Sequence, residues 1–299
     1  MRIDHAQLRA LAAVIREGSF ERAALALNVT ASAVSQRIKA LEDRIGKLLV
    51  RRTSPCEATA EGQVLVQLAE QTALLERDAF ERIGMADAEL PRASIPVAVN
   101  HDSMETWFPE AALAFAQVSS TTLDLHTEDQ DHTAALLRNG SVLGAVTTLA
   151  DPVQGCRIHA LGSMRYVATC TPDFHKRYFS SGVSAQTLAQ APVLVFNRKD
   201  ALQARFAHKI ADPAPWEPPV WWVPSTRAFV QATLGGLGWT MNPLPLVQEH
   251  LDAGQLVLLR GRAWEDVPLY WQHWRVNSEA MEALTDSVLS AARSLVRRR

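Results

Sequence analysis

GSFERAALALNVTASAVSQRIKALEDRIGKLL, residues 18–49, decides the fold of the N-terminal part of the chain. Ser19 is placed to cap a helix through Leu27, with Ala23, Ala24 and Leu27 turned inward and Asn28 as its stop. Thr30 starts a longer helix to about Ile45, its hydroxyl set to accept from the amide of Ala33 or its neighbour, and Gly46 ends it. Upstream, Ile3 to Arg16 carries Leu8, Leu11, Ala12 and Ile15 at i, i+3, i+4 and i+7, one face of a helix that Gly18 closes. Three short helices around one small core, with a tight turn before the longest, make a helix-turn-helix. The longest helix turns Ser32, Ser35, Gln36, Arg37 and Lys39 outward. Serine and glutamine pair with several base edges, arginine forks onto guanine, and basic side chains fix register on phosphates. Glu42 and Asp43 have the wrong sign for phosphate, so the far end of that helix is expected to face away from a duplex.

The charge is divided to match. Residues 1–60 contain ten Arg or Lys against six Asp or Glu, whereas the rest of the chain holds 20 basic and 26 acidic residues within the overall balance of -2. A basic head suits a polyanion, and an acidic body is repelled by one. At 299 residues the chain exceeds one ordinary core, so two or more domains are expected.

From Thr59 to Ile83 no proline occurs, and Leu65, Leu68, Thr72, Leu75 and Ala79 recur in alternating steps of three and four. Such a seam buries its stripe best against a second copy, which predicts a dimerising linker helix over 59–84. Small residues and Pro91 mark a hinge at 85–94. Beyond it, short apolar runs alternate with amphipathic segments: strands are expected at Ile95–Val99, Leu123–Leu125, Val142–Thr147, Tyr166–Thr169, Val193–Phe196, Val220–Val223 and Leu256–Leu259. Helices are expected near Glu110–Gln117, His132–Arg138 and Ser278–Val296. The alternation implies an α/β domain with a mostly parallel sheet, whose ligands lie at the carboxyl ends of the strands in a cleft between two subdomains. Arg297, Arg298 and Arg299 read as a solvated helix end.

Cys56, Cys156 and Cys170 show neither CxxC nor Cys/His spacing, so reduced thiols are expected and no disulfide, metal site or cofactor is indicated. Met1 to Val14 is broken by Asp4, His5, Gln7 and Arg9, unlike a signal peptide, and no 18-residue apolar run occurs, so a cytoplasmic protein is expected. An enzyme is disfavoured by the lack of GxSxG, HExxH or a Gly-rich phosphate loop. A transport receptor would share the bilobed fold but has no use for a basic helix-turn-helix.

Ala23 and Ala24, SAVS at 32–35, LE at 41–42, Gly46 and LLVRR at 48–52 resemble the winged helix-turn-helix of the LysR-type transcriptional regulators. The resemblance implies a DNA-binding domain over 1–58 whose wing carries Arg51 and Arg52 to the DNA backbone or minor groove, and an effector-binding domain over 95–299 of periplasmic-binding-protein type. Subdomain I would span about 95–162 and 269–299, subdomain II about 163–268. Ala31 departs from the family, which commonly has Gln or Pro there, so the half-site is not transferable. IREGSFERAA (15–24), VAVNHDSMETW (97–107), LLRNGSVLGAVTT (136–148), GSMRYVATCTPDFHKRYFSSGV (162–183), VPSTRAFVQATLGGLGWTMNP (223–243) and PLYWQHW (268–274) are similar to the branch that regulates arginine and lysine export, the ArgP/LysG group. That implies promoter DNA, a lysine or arginine effector, an exporter gene as target, self-association to a dimer and tetramer, and, for an activator, contact with RNA polymerase.

The residues expected to hold the effector follow from the predicted strand ends. Asn100, Asp102 and Ser103 follow the first strand and open a helix whose amides favour an anion. Glu128 and Asp129 follow the second and would meet a cation; Thr147, Thr148, Asn197 and Ser225 end later strands. Most of the eight tryptophans are assigned to packing, with Trp107 bordering the cleft. A different small effector, and an architectural or replication-control role on DNA, remain as alternative readings.

Overall fold

The computed structural model describes residues 3–85, 94–128, 133–211, 216–261 and 264–295. The head is α1 (His5–Glu17), α2 (Phe20–Ala26) and α3 (Ala31–Ile45), followed by the wing strands β1 (Val50–Arg51) and β2 (Glu57–Ala58). Its caps are local chemistry: Asp4 accepts from the Ala6 amide at 2.8 Å, Ser19 from Arg22 at 3.1 Å and Thr30 from Ala33 at 3.1 Å. Gly18 and Gly46 end their helices with φ of 68° and 76°, the left-handed conformation that glycine adopts without a Cβ clash. Leu11, Val14, Ala23, Val34, Ile38, Leu41 and Leu49 form the buried core of the head.

Helix α4 (Ala60–Arg82) is capped by Thr59, whose hydroxyl accepts from the Gly62 amide at 3.0 Å and donates to Leu48 O at 2.8 Å, tying helix to wing. Buried Val66 and Ala69 pack with the head, and buried Leu74 joins the large core of the body. Of the expected seam, Leu65 is half-buried against the head, while Leu68 (40%), Leu75 (46%) and Ala79 stay exposed on the single chain. The hinge at 85–94 falls, for residues 86–93, outside the described residues, as do Asp129 and Arg297–Arg299.

The body runs β3 (Ser94–Asn100), α5 (His101–Met104), α6 (Phe108–Val118), β4 (Thr122–Glu128), α7 (Thr133–Arg138), β5 (Gly144–Thr147) and β6 (Cys156–Cys170). It continues through α8 (Pro172–Tyr178), α9 (Ala185–Gln190), β7 (Val193–Val195), α10 (Leu202–Ala211), β8 (Val220–Trp222), α11 (Thr226–Leu234) and β9 (Thr240–Pro243). It ends with α12 (Leu244–Asp252), β10 (Val257–Leu258), β11 (Trp264–Trp274), α13 (Glu279–Ala291) and a 3-10 turn at Ala292–Leu295.

The sheet order is β10-β6-β11-β5-β3-β4 with β9 also on β6, and β7 pairs β8 separately. Only β3 with β4 and β5, and β7 with β8, pair in parallel among the described strands; β6, β11, β9 and β10 pair antiparallel. The expectation of a mostly parallel sheet is therefore corrected to a mixed one. The two long strands cause the difference. The apolar pattern marks only residues 166–169 of the 15-residue β6 and none of the 11-residue β11, because strands with partly exposed faces lack the continuous apolar run of a doubly covered strand. Helices α8 to α12 likewise had no counterpart among the expectations. Trp239 and Trp271 are fully buried, and the Trp271 indole donates to Thr285 Oγ1 at 3.1 Å, fixing α13 on the sheet. Trp221 and Trp222 instead are half-exposed on β8, contrary to their assignment to packing.

Candidate DNA interface and effector cleft

A concave groove lies between α3 and the wing. Ser32, Ser35, Gln36 and Lys39 line one side and Arg51 and Arg52 the other. Arg37 is half-buried and lies outside this groove's lining. The Arg52 guanidinium stands 4.7 Å over the Phe20 ring, and Arg51 meets Glu57 across the wing at 3.2 Å. Both contacts orient cations beside a helix that offers hydroxyl and amide groups, the division between register and base reading that a duplex requires. Glu42 does not face away as expected. It lines the groove and accepts the amides of Leu49 (2.8 Å) and Val50 (3.3 Å), so its charge is spent on holding the wing against α3. Asp43 also borders the groove.

The second concavity, about 670 Å³ counting its open mouth, lies in the body. Asn100 ends β3 and Asp102 stands on α5 just after it, β6 delivers Tyr166, the turn from β7 into α10 delivers Phe196 and Asp200, and α10 itself delivers Gln203. Thr226 and Phe229 come from α11, Met241 and Pro243 from β9. Asp102 accepts from the Tyr166 hydroxyl at 2.6 Å and from Thr226 Oγ1 at 3.2 Å. Asp200 accepts the amides of Phe196 at 3.2 Å and Leu202 at 2.9 Å. Burial pushes both carboxyl groups above the usual carboxylate range, against the lowering effect of these hydrogen bonds, and the charge of Asp200 pushes Asp102 further up. Asn100 Oδ1 and Gln203 Oε1, on side chains each 2% exposed, have no partner among the described residues. The cleft is thus rich in acceptors, with aromatic and aliphatic walls between them and the basic side chains of His101, Lys199 and Arg205 also on its lining. That chemistry receives N–H donors of a cation carried on an apolar stem.

Of the residues expected around the effector, Asn100 and Asp102 line this cleft. The expected anion-favouring helix start is corrected: α5 is a four-residue turn, Asn100 makes no capping bond, and a carboxylate occupies that end. Ser103 is fully buried, its hydroxyl without a partner among the described residues, and does not line the cleft. Thr147 is buried and accepts the Leu149 amide at 3.1 Å; Thr148 and Glu128, the latter opposite Asn100 in the sheet register, also stand outside the lining. Asn197 closes a turn by accepting the Lys199 amide at 2.8 Å, and Ser225 caps α11 by accepting from Ala228 at 3.3 Å. Their neighbours Asp200 and Thr226 face the cleft instead. Trp107 is 4% exposed in the core and does not border the cleft, a second correction. Tyr166, Asp200, Gln203 and Thr226 went unnoticed in the sequence. An acid two residues before a helical run is the sole signal that Asp200 carried.

All three cysteines are free. Burial raises the thiol pKa of Cys156 to about 11 and of Cys170 to about 12, which leaves them unreactive at neutral pH. No helix among the described residues is long and apolar enough to cross a membrane.

Residues 5–63 match the model of the bacterial regulatory helix-turn-helix proteins of the lysR family, and residues 88–293 match the LysR substrate binding domain. The chain belongs to the LysR family of transcriptional regulators. It is a DNA-binding regulator with an effector-binding domain, and not an enzyme. It is 44% identical over 97% of its length to the lysine export transcriptional regulatory protein LysG of Corynebacterium efficiens, of which it covers 98%. Among solved structures, ArgP from Mycobacterium tuberculosis is similar with a TM-score of 0.84 at 45% identity, each chain fully covered. Full-length LysG from Corynebacterium glutamicum with bound effector Arg gives a TM-score of 0.74 at 41% identity, covering 99% of this chain and 100% of that one. LysR-family members thus share its head, its body and their order along the chain.

Proposed function

We propose that this LysR-family regulator senses a basic amino acid, arginine or lysine, in the cleft lined by Asp102 and Asp200, and controls the promoter of a basic amino-acid exporter gene in the cytoplasm. The observation that carries the reading is the pairing of two carboxylates with the unpartnered oxygens of Asn100 and Gln203 on a cleft walled by Phe196, Phe229 and Met241. A guanidinium or ammonium would be held by the acids, and the aliphatic stem by the walls. The arginine bound to the similar LysG of Corynebacterium glutamicum supports the same class of ligand. Ser32, Ser35, Gln36, Arg37 and Lys39 are the proposed base and phosphate contacts of α3, with Arg51 and Arg52 from the wing. Two chains would pair through the exposed stripe of α4, and two such pairs would engage one promoter. The effector acts by binding one arrangement of the heads better than another, which changes DNA spacing and bend.

The test is thermal melting of the purified protein with arginine, lysine, the neutral analogues citrulline and norleucine, and unrelated metabolites, followed by promoter footprinting with each ligand that binds. A ligand of the folded state raises the midpoint by mass action. A rise with arginine or lysine and none with the neutral analogues is expected. Equal rises with citrulline and arginine would refute a cation-selective cleft.

A further inference from the structure

Asp102 and Asp200 reach the cleft from different elements, and the donors each receives are neutral: a phenol and a threonine hydroxyl on one, two backbone amides on the other. His101, Lys199 and Arg205 also line the cleft, but neither carboxylate takes its hydrogen bonds from them. Arg205 lies 3.7 Å from Glu265, the His101 ring packs against Phe196 with centroids 5.0 Å apart, and Lys199 is exposed. Two enclosed groups of like charge that share a cavity without a bound cation favour retention of a proton by one of them. The unpartnered oxygens of Asn100 and Gln203 add acceptors to the same wall and no positive charge.

Building on the proposed function, we infer that the cleft takes up its cationic effector in exchange for a proton: the empty Asp102–Asp200 pair holds one proton, and the arriving ammonium or guanidinium displaces it. The O–H bond of the carboxylic acid breaks, the proton passes to buffer, and the freed carboxylate accepts an N–H of the effector; no electrons change hands. The facing groups fall into two opposed sets. Burial raises both acids and Asp200 raises Asp102, while Tyr166, Thr226 and His101 lower Asp102, and Leu202, Phe196, Gln203 and Arg205 lower Asp200. A bound cation sides with the second set and drives the proton off. Binding therefore strengthens as pH rises through the pair's titration and levels off above it, so acidification would blunt the response to a constant amount of effector.

Calorimetry of the full-length protein with arginine, in buffers of different ionisation enthalpy, counts the protons released. Between about pH 5 and 7 the effector's own ammonium and guanidinium stay charged, so the protein is the source. The expected result is a release approaching one proton per arginine at the acid end, with affinity rising up to about tenfold per pH unit there. Tyr166→Phe removes a donor that favours ionised Asp102 and should move the profile to higher pH; Asp200→Asn removes the like charge and should move it lower. His101→Gln should leave the release intact, and its loss in that variant would assign the proton to His101 and overturn the inference. Arginine binding with no proton release and a flat pH profile would overturn proton exchange alone. Failure of arginine and lysine to bind at any pH would overturn the proposed effector, and the exchange with it. DNA binding by each variant reports whether it has folded.

Discussion

Replacing Asp102 by Asn separates a ligand carboxylate from a structural one. The change keeps the shape of the side chain and one acceptor oxygen, so of the hydroxyls of Tyr166 (2.6 Å) and Thr226 (3.2 Å), which bond different oxygens of Asp102, one can still donate while the other rotates to accept from the new amide. What is lost is the negative charge that an effector cation would meet. Hydrogen bonds to charged groups contribute about 1.5–3 kcal/mol, so effector affinity should fall about 10- to 150-fold. The effect on the empty protein has the opposite sign. Burial raises the folded pKa of Asp102 above its unfolded value, so the stability linked to its protonation is present at low pH and lost as pH rises through the folded value. Removing that acid should leave the melting temperature at neutral pH unchanged or slightly higher. The assay is calorimetric titration with arginine beside thermal melting without it, with operator affinity expected to stay within a few-fold. An arginine affinity unchanged within twofold, or a loss of response that appears only together with a lowered melting temperature, would refute the reasoning.

Gln36→Ala should weaken operator binding by about 1–3 kcal/mol with little effect on random DNA, whereas Arg52→Ala should weaken both alike and flatten the salt dependence, as competition binding at several salt concentrations would read. An equal loss on random DNA would remove Gln36 from base reading. Leu68→Glu with Leu75→Glu places like charges on the exposed stripe of α4 and should shift the protein toward monomers in sedimentation while far-ultraviolet dichroism is kept. His273 is 4% exposed, and burial holds its pKa below the usual histidine value; the stability this contributes is present above that value and is lost as pH falls through it. His273→Gln should therefore shrink the drop in melting temperature between about pH 7.5 and about pH 5.5.

The head was legible because its determinants are local. Ser19 and Thr30 bond to amides three residues ahead, and Gly18 and Gly46 stop their helices, so spacing alone placed these elements. In the body the buried runs of β3, β5 and β7 were legible, and so were the short exposed β4 and β8 and helices α6, α7 and α13, because each shows its pattern within one window. β6 and β11 pair over Trp264–Trp274 and Cys156–Val167, and no window of either strand announces a partner a hundred positions away. The cleft fell between these cases. Asp102 was found because it follows a strand, the rule that α/β sheets obey. Asp200 reaches the same cavity only through the β7–α10 turn, and Thr226 through a cap that Ser225 makes, so a strand-end rule stops at Ser225, one residue short of the hydroxyl that bonds Asp102.

The contacts of α4 bear on how cleft closure would reach DNA. The Asp78 carboxylate accepts the Glu279 amide at 2.8 Å where α13 begins, Arg82 pairs with Glu279 at 2.7 Å, and the Gln63 amide donates to Gly140 O at 3.1 Å. Glu279 and Gly140 belong to the half of the body built on β3 and β5, which also carries Asp102. Asp200 and Thr226 stand on the other half, around β7 and α11. If an effector bridges Asp102 and Asp200, it draws the second half toward the half on which α4 is fastened, while α4 still holds α1 through Val66 and Ala69. The head then keeps its place relative to the linker within one chain. A change in DNA spacing must come from shifts between chains, transmitted by the half that moves, and a monomer locked in solution would bind effector and leave no mark on promoter geometry.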